Sequence, residues 1–188
     1  MDSMSNLTNV TKTNFDKDIS LYTMIGQDQA RNLLLTWINS HYANRSENKE
    51  SRIGSVLMLG RTATTLARAM SNSFGNMSFH FVEGSYLSNG IGYDEYFMEG
   101  DSLTTCFIHQ AERCKQWLLP EFHRILHEGI CRQPEKIGYS QEQYHPFDKL
   151  IIFSAYDDKL MDTHLVDSVD VVCQLKKYSL DEVQRILK

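Results

Sequence analysis

The sequence predicts an α/β fold, a parallel sheet of five strands with helices on both faces. Short, nearly continuous apolar runs such as "IGSVLMLG" and "KLIIFSAYD" are the kind that a parallel sheet buries on both sides. They alternate with stretches whose apolar residues recur at helical spacing, and that alternation builds such a sheet. Size agrees: 188 residues, 41% hydrophobic and 23% charged, suit one domain with a substantial core.

The start, "MDSMSNLTNVTKTNFDKD", is polar and rich in Ser, Asn and Thr, so residues 1–20 read as a flexible lead-in. Residues 21–178 carry the domain. In "IGQDQARNLLLTWINSHY", residues Ala30, Leu33, Leu34, Trp37 and Ile38 fall on one side of a helix. "ANRSENKESR" reads as a solvated loop or a polar helix end. "IGSVLMLG" is the first strand, and "TATTLARAMSNSFG" a helix with Gly75 as its C-cap. "MSFHFVEG" and "SLTTCFIHQ" are the second and third strands. "RCKQWLLPEFHRILHEG" reads as one helix with Trp117, Leu118, Phe122, Ile125 and Leu126 on one side, a kink at Pro120 and an end at Gly129. Both Trp37 and Trp117 read as core. "CRQPEKIGYSQEQYHPFD" is a polar loop or a hairpin insertion, and "KLIIFSAYD" and "DVVCQLKKY" are the last two strands. "SLDEVQRILK", residues 179–188, begins another helix, with Ser179 as N-cap and Glu182 closing a capping box.

Net charge is -5 and the 19 Lys and Arg are scattered, which argues against autonomous nucleic-acid binding. Cys106, Cys114, Cys131 and Cys173 form no C-x-x-C pair and read as reduced thiols of a cytoplasmic protein. No apolar run approaches the roughly 18 residues of a membrane helix, and the N-terminus has no apolar signal core.

In a parallel sheet the ligand site lies at the carboxyl ends of the strands, so Gly60, His109–Gln110 and Tyr156–Asp157 converge on one edge. Here the chain resembles the base domain of the AAA+ ATPases. The likeness is greatest to the RuvB-like branch-migration motors that act on Holliday junctions, with clamp-loader subunits as cousins. "IGQDQARNLL", containing Gln27, is similar to the segment that flanks the adenine. "VLMLG" and "TTLARAMSNSFG" resemble the first strand and the P-loop helix. "EGDSLTTCFIHQAERC" resembles the Walker B strand, and "LPEFHRILHEG" the helix after it. "FSAYDDKLMDTHLVDSVDVVCQLKKYSLDEVQRIL" resembles the sensor strand, the arginine-finger segment, the last strand and the first lid helix. The resemblance implies a three-layer αβα P-loop NTPase fold whose lid is absent or truncated.

The motifs depart from the family's pattern. Aligning Thr64-Thr65-Leu66-Ala67 with the family's Thr-Thr-Leu-Ala puts Ala63 where the lysine belongs. Only Arg61 and Thr62 then separate Gly60 from Ala63, leaving the loop about three residues short. A P-loop works because its backbone amides wrap phosphates while the lysine neutralises their charge. His109 and Gln110 stand where the Walker B acids would orient magnesium and activate water, and neither side chain does that work. The sensor position falls near Ala155–Tyr156, and the arginine fingers fall at Val166 and Ser168. Each such loss costs on the order of a hundredfold in rate, about 3 kcal/mol.

Two readings of Gly60–Ala67 stand, a plain strand–helix turn and a nucleotide site without hydrolysis. "HRILHEGIC" spaces His123, His127 and Cys131 by four, which suggests metal ligands, but solvated or capping histidines fit as well, and the expectation is no metal. No G-x-S-x-G elbow marks a hydrolase. "GYDEYFMEGD" reads as a solvated acidic loop or a partner contact. The resulting expectation is a catalytically inactive AAA+-like domain acting through protein contact, as a structural or regulatory subunit or adaptor of an AAA+ or DNA-processing assembly. Its protein partner would be an active AAA+ relative or another assembly component, in a homo- or hetero-oligomer. It would need no cofactor and bind ATP or ADP weakly at most. The rival expectation is a nucleotide-binding AAA+ ATPase or helicase-type protein with a non-standard P-loop.

Overall fold

The computed structural model describes residues 19–47, 54–74, 77–87, 93, 96–97, 104–132 and 144–187, with side chains undescribed at 42–47. Most of the lead-in, Gly75 and most of "GYDEYFMEGD" lie outside these residues.

The apolar runs form five strands: β1 (Ser55–Leu59), β2 (Ser78–Glu83), β3 (Thr104–His109), β6 (Leu150–Ala155) and β7 (Val171–Gln174). They make one sheet in the order β2-β3-β6-β1-β7, and every pairing is parallel. β1 sits between β6 and β7, with Val56 opposite both Ile152 and Val171.

Period-two alternation divides the strand side chains between two cores. Val56, Met58, Phe107, Ile152 and Cys173 face helices α1 (Asp28–Glu47) and α2 (Ala63–Ser73). Leu57, Leu59, Cys106, Ile108, Ile151 and Phe153 face the other way, onto Phe122, Ile125, Leu126 and Leu165. The sheet is therefore covered on both sides. Along α1, Ala30, Leu34 and Ile38 are buried, whereas Leu33 points outward and Trp37 packs at the core margin. A four-residue helix, α3 (Gly84–Leu87), follows β2. Tyr93, Tyr96 and Phe97 are buried in the second core, so these aromatics of the acidic stretch pack inside rather than facing solvent.

The long helix expected after β3 is broken. Ala111–Arg113 and Gln116–Leu118 are 3₁₀ turns, α4 spans Leu119–His123, and Arg124–Glu128 continues as a π-helical turn. Cys114 and Lys115 adopt extended backbone, which stops helix propagation. Pro120 lies in the first turn of α4, where its missing N–H costs nothing, so it starts the helix rather than kinking it. Gly129, at φ 67°, ends the π-helical turn. Trp117 falls in a 3₁₀ turn and is 39% exposed, so it is not core.

The polar insertion is a hairpin: β4 (Ile130–Arg132) pairs antiparallel with β5 (Tyr144–Pro146). It joins the end of the π-helical turn to the start of β6, so it sits at the amino edge of the sheet. Ser55 and Asp170 close that same edge. The amide and hydroxyl of Ser55 donate to Asp170 Oδ2 at 2.7 and 2.9 Å, and the Asp170 amide donates back to Ser55 Oγ at 3.0 Å. After β6 the chain forms α5 (Thr163–Ser168), then β7 and α6 (Leu180–Ile186). Both halves of the expected capping box on α6 are made: Ser179 Oγ accepts the Glu182 amide, and Glu182 accepts the Ser179 amide at 2.7 Å. No described helix is long and apolar enough to cross a membrane.

Candidate functional site at the carboxyl edge

Gly60, His109, Gln110 and Tyr156 all end or follow strands of a parallel sheet, which brings them to one edge. The Gly60 amide donates to Ala155 O at 2.8 Å and the Leu175 amide to Leu59 O at 2.7 Å, so the β1–α2 turn is pinned from both flanks. Gly60 adopts φ 133°, and a Cβ there would lie 2.9 Å from Leu175 Cβ and 3.2 Å from Leu175 O. Only glycine combines that backbone with that proximity.

The connection from Gly60 to α2 is two residues, exposed Arg61 and half-buried Thr62, and α2 begins at Ala63. Ala63 is fully buried in the first core. The position that the resemblance assigns to a phosphate-binding lysine is therefore a packing position. Thr62 occupies the N-cap without a side-chain capping bond. Thr64 is half-buried and Thr65 exposed.

At the end of β3, His109 Nδ1 lies 3.0 Å from Ser154 Oγ, and the same hydroxyl accepts the Gln110 amide at 3.3 Å. Gln110 Nε2 donates to Tyr156 OH at 2.5 Å, and the Arg61 guanidinium lies over the Tyr156 ring, 5.9 Å from its centroid. Gln110 adopts φ 53°, a left-handed conformation that a non-glycine residue holds only when its surroundings enforce it. Gly84 packs so close to the Gln110 carbonyl that a Cβ there would clash with it. Glu83 pairs in register with His109, and Asp157 caps the next 3₁₀ turn by accepting the Lys159 amide. That bond, reinforced by neighbouring Asp158, holds the Asp157 carboxyl below its usual range.

A third strand end closes the group. Gln27, buried and at φ 55°, accepts the Lys176 amide through Oε1 at 3.0 Å. Its Nε2 donates to Lys176 O at 2.5 Å and approaches Thr62 Oγ1 at 3.4 Å. Gly60, Arg61, Thr62, His109, Gln110, Tyr156 and Gln27 thus form one neighbourhood. Sequence reasoning missed Ser154 and Lys176 in it. Ser154 is a lone polar residue in an apolar strand, and Lys176 joins through its backbone, so neither leaves a sequence signal.

Val166 and Ser168 are elsewhere. Val166 packs at the margin of the second core. Ser168 Oγ donates to His164 O at 2.5 Å and lies 2.9 Å from His127 Nε2 and 3.5 Å from His123 Nδ1. The His123 and His127 rings stack at 5.8 Å. Cys131 is beyond Gly129 and buried in β4, so the spacing of four does not gather the three side chains. Among the described residues no group of three or more His, Cys, Asp or Glu is placed to hold a metal ion. All four cysteines are free thiols, and burial pushes Cys106 and Cys173 up to about 12.

Neither a protein-family model nor a curated protein matches the sequence. Solved structures do. An alanine-to-serine mutant of Thermotoga maritima RuvB superposes with a TM-score of 0.72 at 16% identity, covering 93% of this chain and 54% of that one. A proline-to-glycine mutant gives 0.71 at 16% identity, covering 90% and 52%. The T. maritima RuvB Holliday junction branch migration motor gives 0.67 at 15% identity, covering 93% and 53%. The chain spans about half the length of these RuvB structures. Five parallel strands in one order, two covered faces and these superpositions together show that the chain has the α/β fold seen in these RuvB structures.

Proposed function

We propose that this domain uses a AAA+ scaffold for protein–protein contact and does not hydrolyse ATP. The carrying observation is the β1–α2 connection: two residues long, pinned to Ala155 and Leu175, and leading into a buried Ala63. Such a turn has no slack to wrap a triphosphate, and a buried alanine stands where the lysine would sit. His109 and Gln110 support the same reading, since both are engaged with Ser154 and Tyr156 and neither supplies a carboxylate for Mg²⁺. The domain then serves as a structural or regulatory subunit, or an adaptor, for an active AAA+ relative or another assembly component, and forms a homo- or hetero-oligomer. It needs no cofactor, binds ATP or ADP weakly, and works with its thiols reduced in the cytoplasm.

Calorimetry with Mg·ATP, paired with a phosphate-release assay, tests this. The expected result is a Kd weaker than about 100 µM, roughly −5.5 kcal/mol, and no phosphate above the buffer rate. Steady release abolished by Arg61→Ala would overturn the proposal and favour an ATPase with a non-standard loop. Crosslinking in the native host, with identification of the crosslinked chain, tests the partner; an active AAA+ protein is the expected product.

A further inference from the structure

We propose that His123, His127 and His164 take one divalent ion of the zinc or nickel class, where α4 and its π-helical turn meet α5. None of these residues belongs to the carboxyl-edge neighbourhood.

Three of the chain's seven histidines lie together here. His123 ends α4, His127 follows in the π-helical turn, and His164 is in the first turn of α5. The His123 ring is 5.8 Å from the His127 ring and 6.3 Å from the His164 ring, centroid to centroid. Imidazoles bound to one zinc at about 2.0–2.1 Å have centroids on the order of 5–6 Å apart. His127 and His164 are exposed and His123 is half-buried, so a hydrated ion can reach all three. Imidazole nitrogens suit zinc, nickel and copper rather than magnesium or calcium.

Ser168 marks where the ion would sit. Its hydroxyl gives its one proton to His164 O at 2.5 Å. It therefore accepts from the two rings that face it, His127 Nε2 at 2.9 Å and His123 Nδ1 at 3.5 Å. Two imidazole nitrogens thus converge on a single oxygen atom. An ion between them needs both nitrogens unprotonated, so each ring passes its proton to its other nitrogen. While Ser168 is their partner the rings stand in the metal-free arrangement, in which the three do not yet meet at one point. His164 is the movable member, because its ring is exposed and makes no hydrogen bond among the described residues. Turning it about χ1 completes three ligands, with water as the fourth. Leu165 already seats α5 in the second core with Phe122, Ile125 and Leu126. The ion is thus a fastening between two formed elements and not a condition of folding.

Calorimetry with zinc chloride tests the site, on the untagged full chain with its thiols kept reduced by a phosphine. One ion is expected per chain. Loss of even an outer partner of a metal ligand costs about 10–100-fold in affinity, so His164→Ala and His123→Ala are each expected to bind at least tenfold more weakly. His145→Ala and Cys114→Ser are expected to stay within twofold of wild type. Nitrogen NMR of the rings is expected to show the proton leaving His127 Nε2 as zinc is added. No saturable zinc binding by the wild type, unchanged affinity in His164→Ala, or loss of binding in Cys114→Ser would overturn the site. His164 is exposed, so its variant decides even where His123→Ala fails to fold. Phosphate release by the wild-type protein would overturn the non-hydrolytic reading and leave this site standing.

Discussion

Two glycines separate strain from crowding at the candidate site. Gly60 and Gly129 both hold positive φ, 133° and 67°. At Gly129 an added Cβ meets nothing within 4 Å, so Gly129→Ala carries backbone strain alone, about 1 kcal/mol. At Gly60 the methyl group would press on Leu175 Cβ at 2.9 Å and on its carbonyl at 3.2 Å. Leu175 cannot retreat freely, because its amide holds Leu59 O. Overpacking there adds about 2 kcal/mol to a strain of about 1–3 kcal/mol, because φ 133° lies outside the left-handed region, so Gly60→Ala is expected to lose about 3–5 kcal/mol. At roughly 2–4 °C per kcal/mol for a chain of this size, Tm falls by about 2–4 °C for Gly129→Ala and about 6–20 °C for Gly60→Ala. Urea unfolding of both variants, with equal m-values as the check on two-state behaviour, gives the difference directly. Equal losses would refute the claim that the β1–α2 turn is clamped against the segment after β7.

Two other predictions concern buried polar groups. Ser154→Ala removes the hydroxyl shared by His109 and the Gln110 amide and is expected to cost about 1–3 kcal/mol, read by the same unfolding assay and by a shifted Gln110 amide resonance. Cys106 and Cys173 are neutral when folded, with burial raising both to about 12 against about 8.5 in the unfolded chain. Their contribution is thus complete below pH 8.5 and lost as pH climbs toward 12. Stability should decline by about 1 kcal/mol per pH unit per thiol between roughly pH 9 and 11, and Cys173→Ala should flatten that decline while iodoacetamide leaves native Cys106 unmodified at pH 8.

The five strands were legible because a sheet covered on both faces needs apolar runs, and few other structures do. Their common edge was legible because parallel strands send every following loop to the same side, which placed Gly60, His109, Gln110 and Tyr156 together. The helix after β3 was misread because periodicity in Trp117, Leu118, Phe122 and Ile125 does not register that Cys114 and Lys115 are extended. Trp117 followed the same pattern and turned outward. Gly75 and the lead-in lie outside the described residues. The links of Gln27 to Lys176 and of Ser55 to Asp170 span 149 and 115 residues and have no local signature. Ser168 was expected as a finger position, and nothing in "LVDSVD" announces its contacts with His123 and His127.

The β4–β5 hairpin gives the molecule two ends with separate duties. Chemistry, if any ligand is taken, belongs to the edge where the strands finish, whereas the hairpin hangs from the edge where they begin. An affinity tag or fluorophore attached at Arg132 or Tyr144 would therefore serve as a handle at the far pole, and a partner engaging that pole would not touch the edge at Gly60.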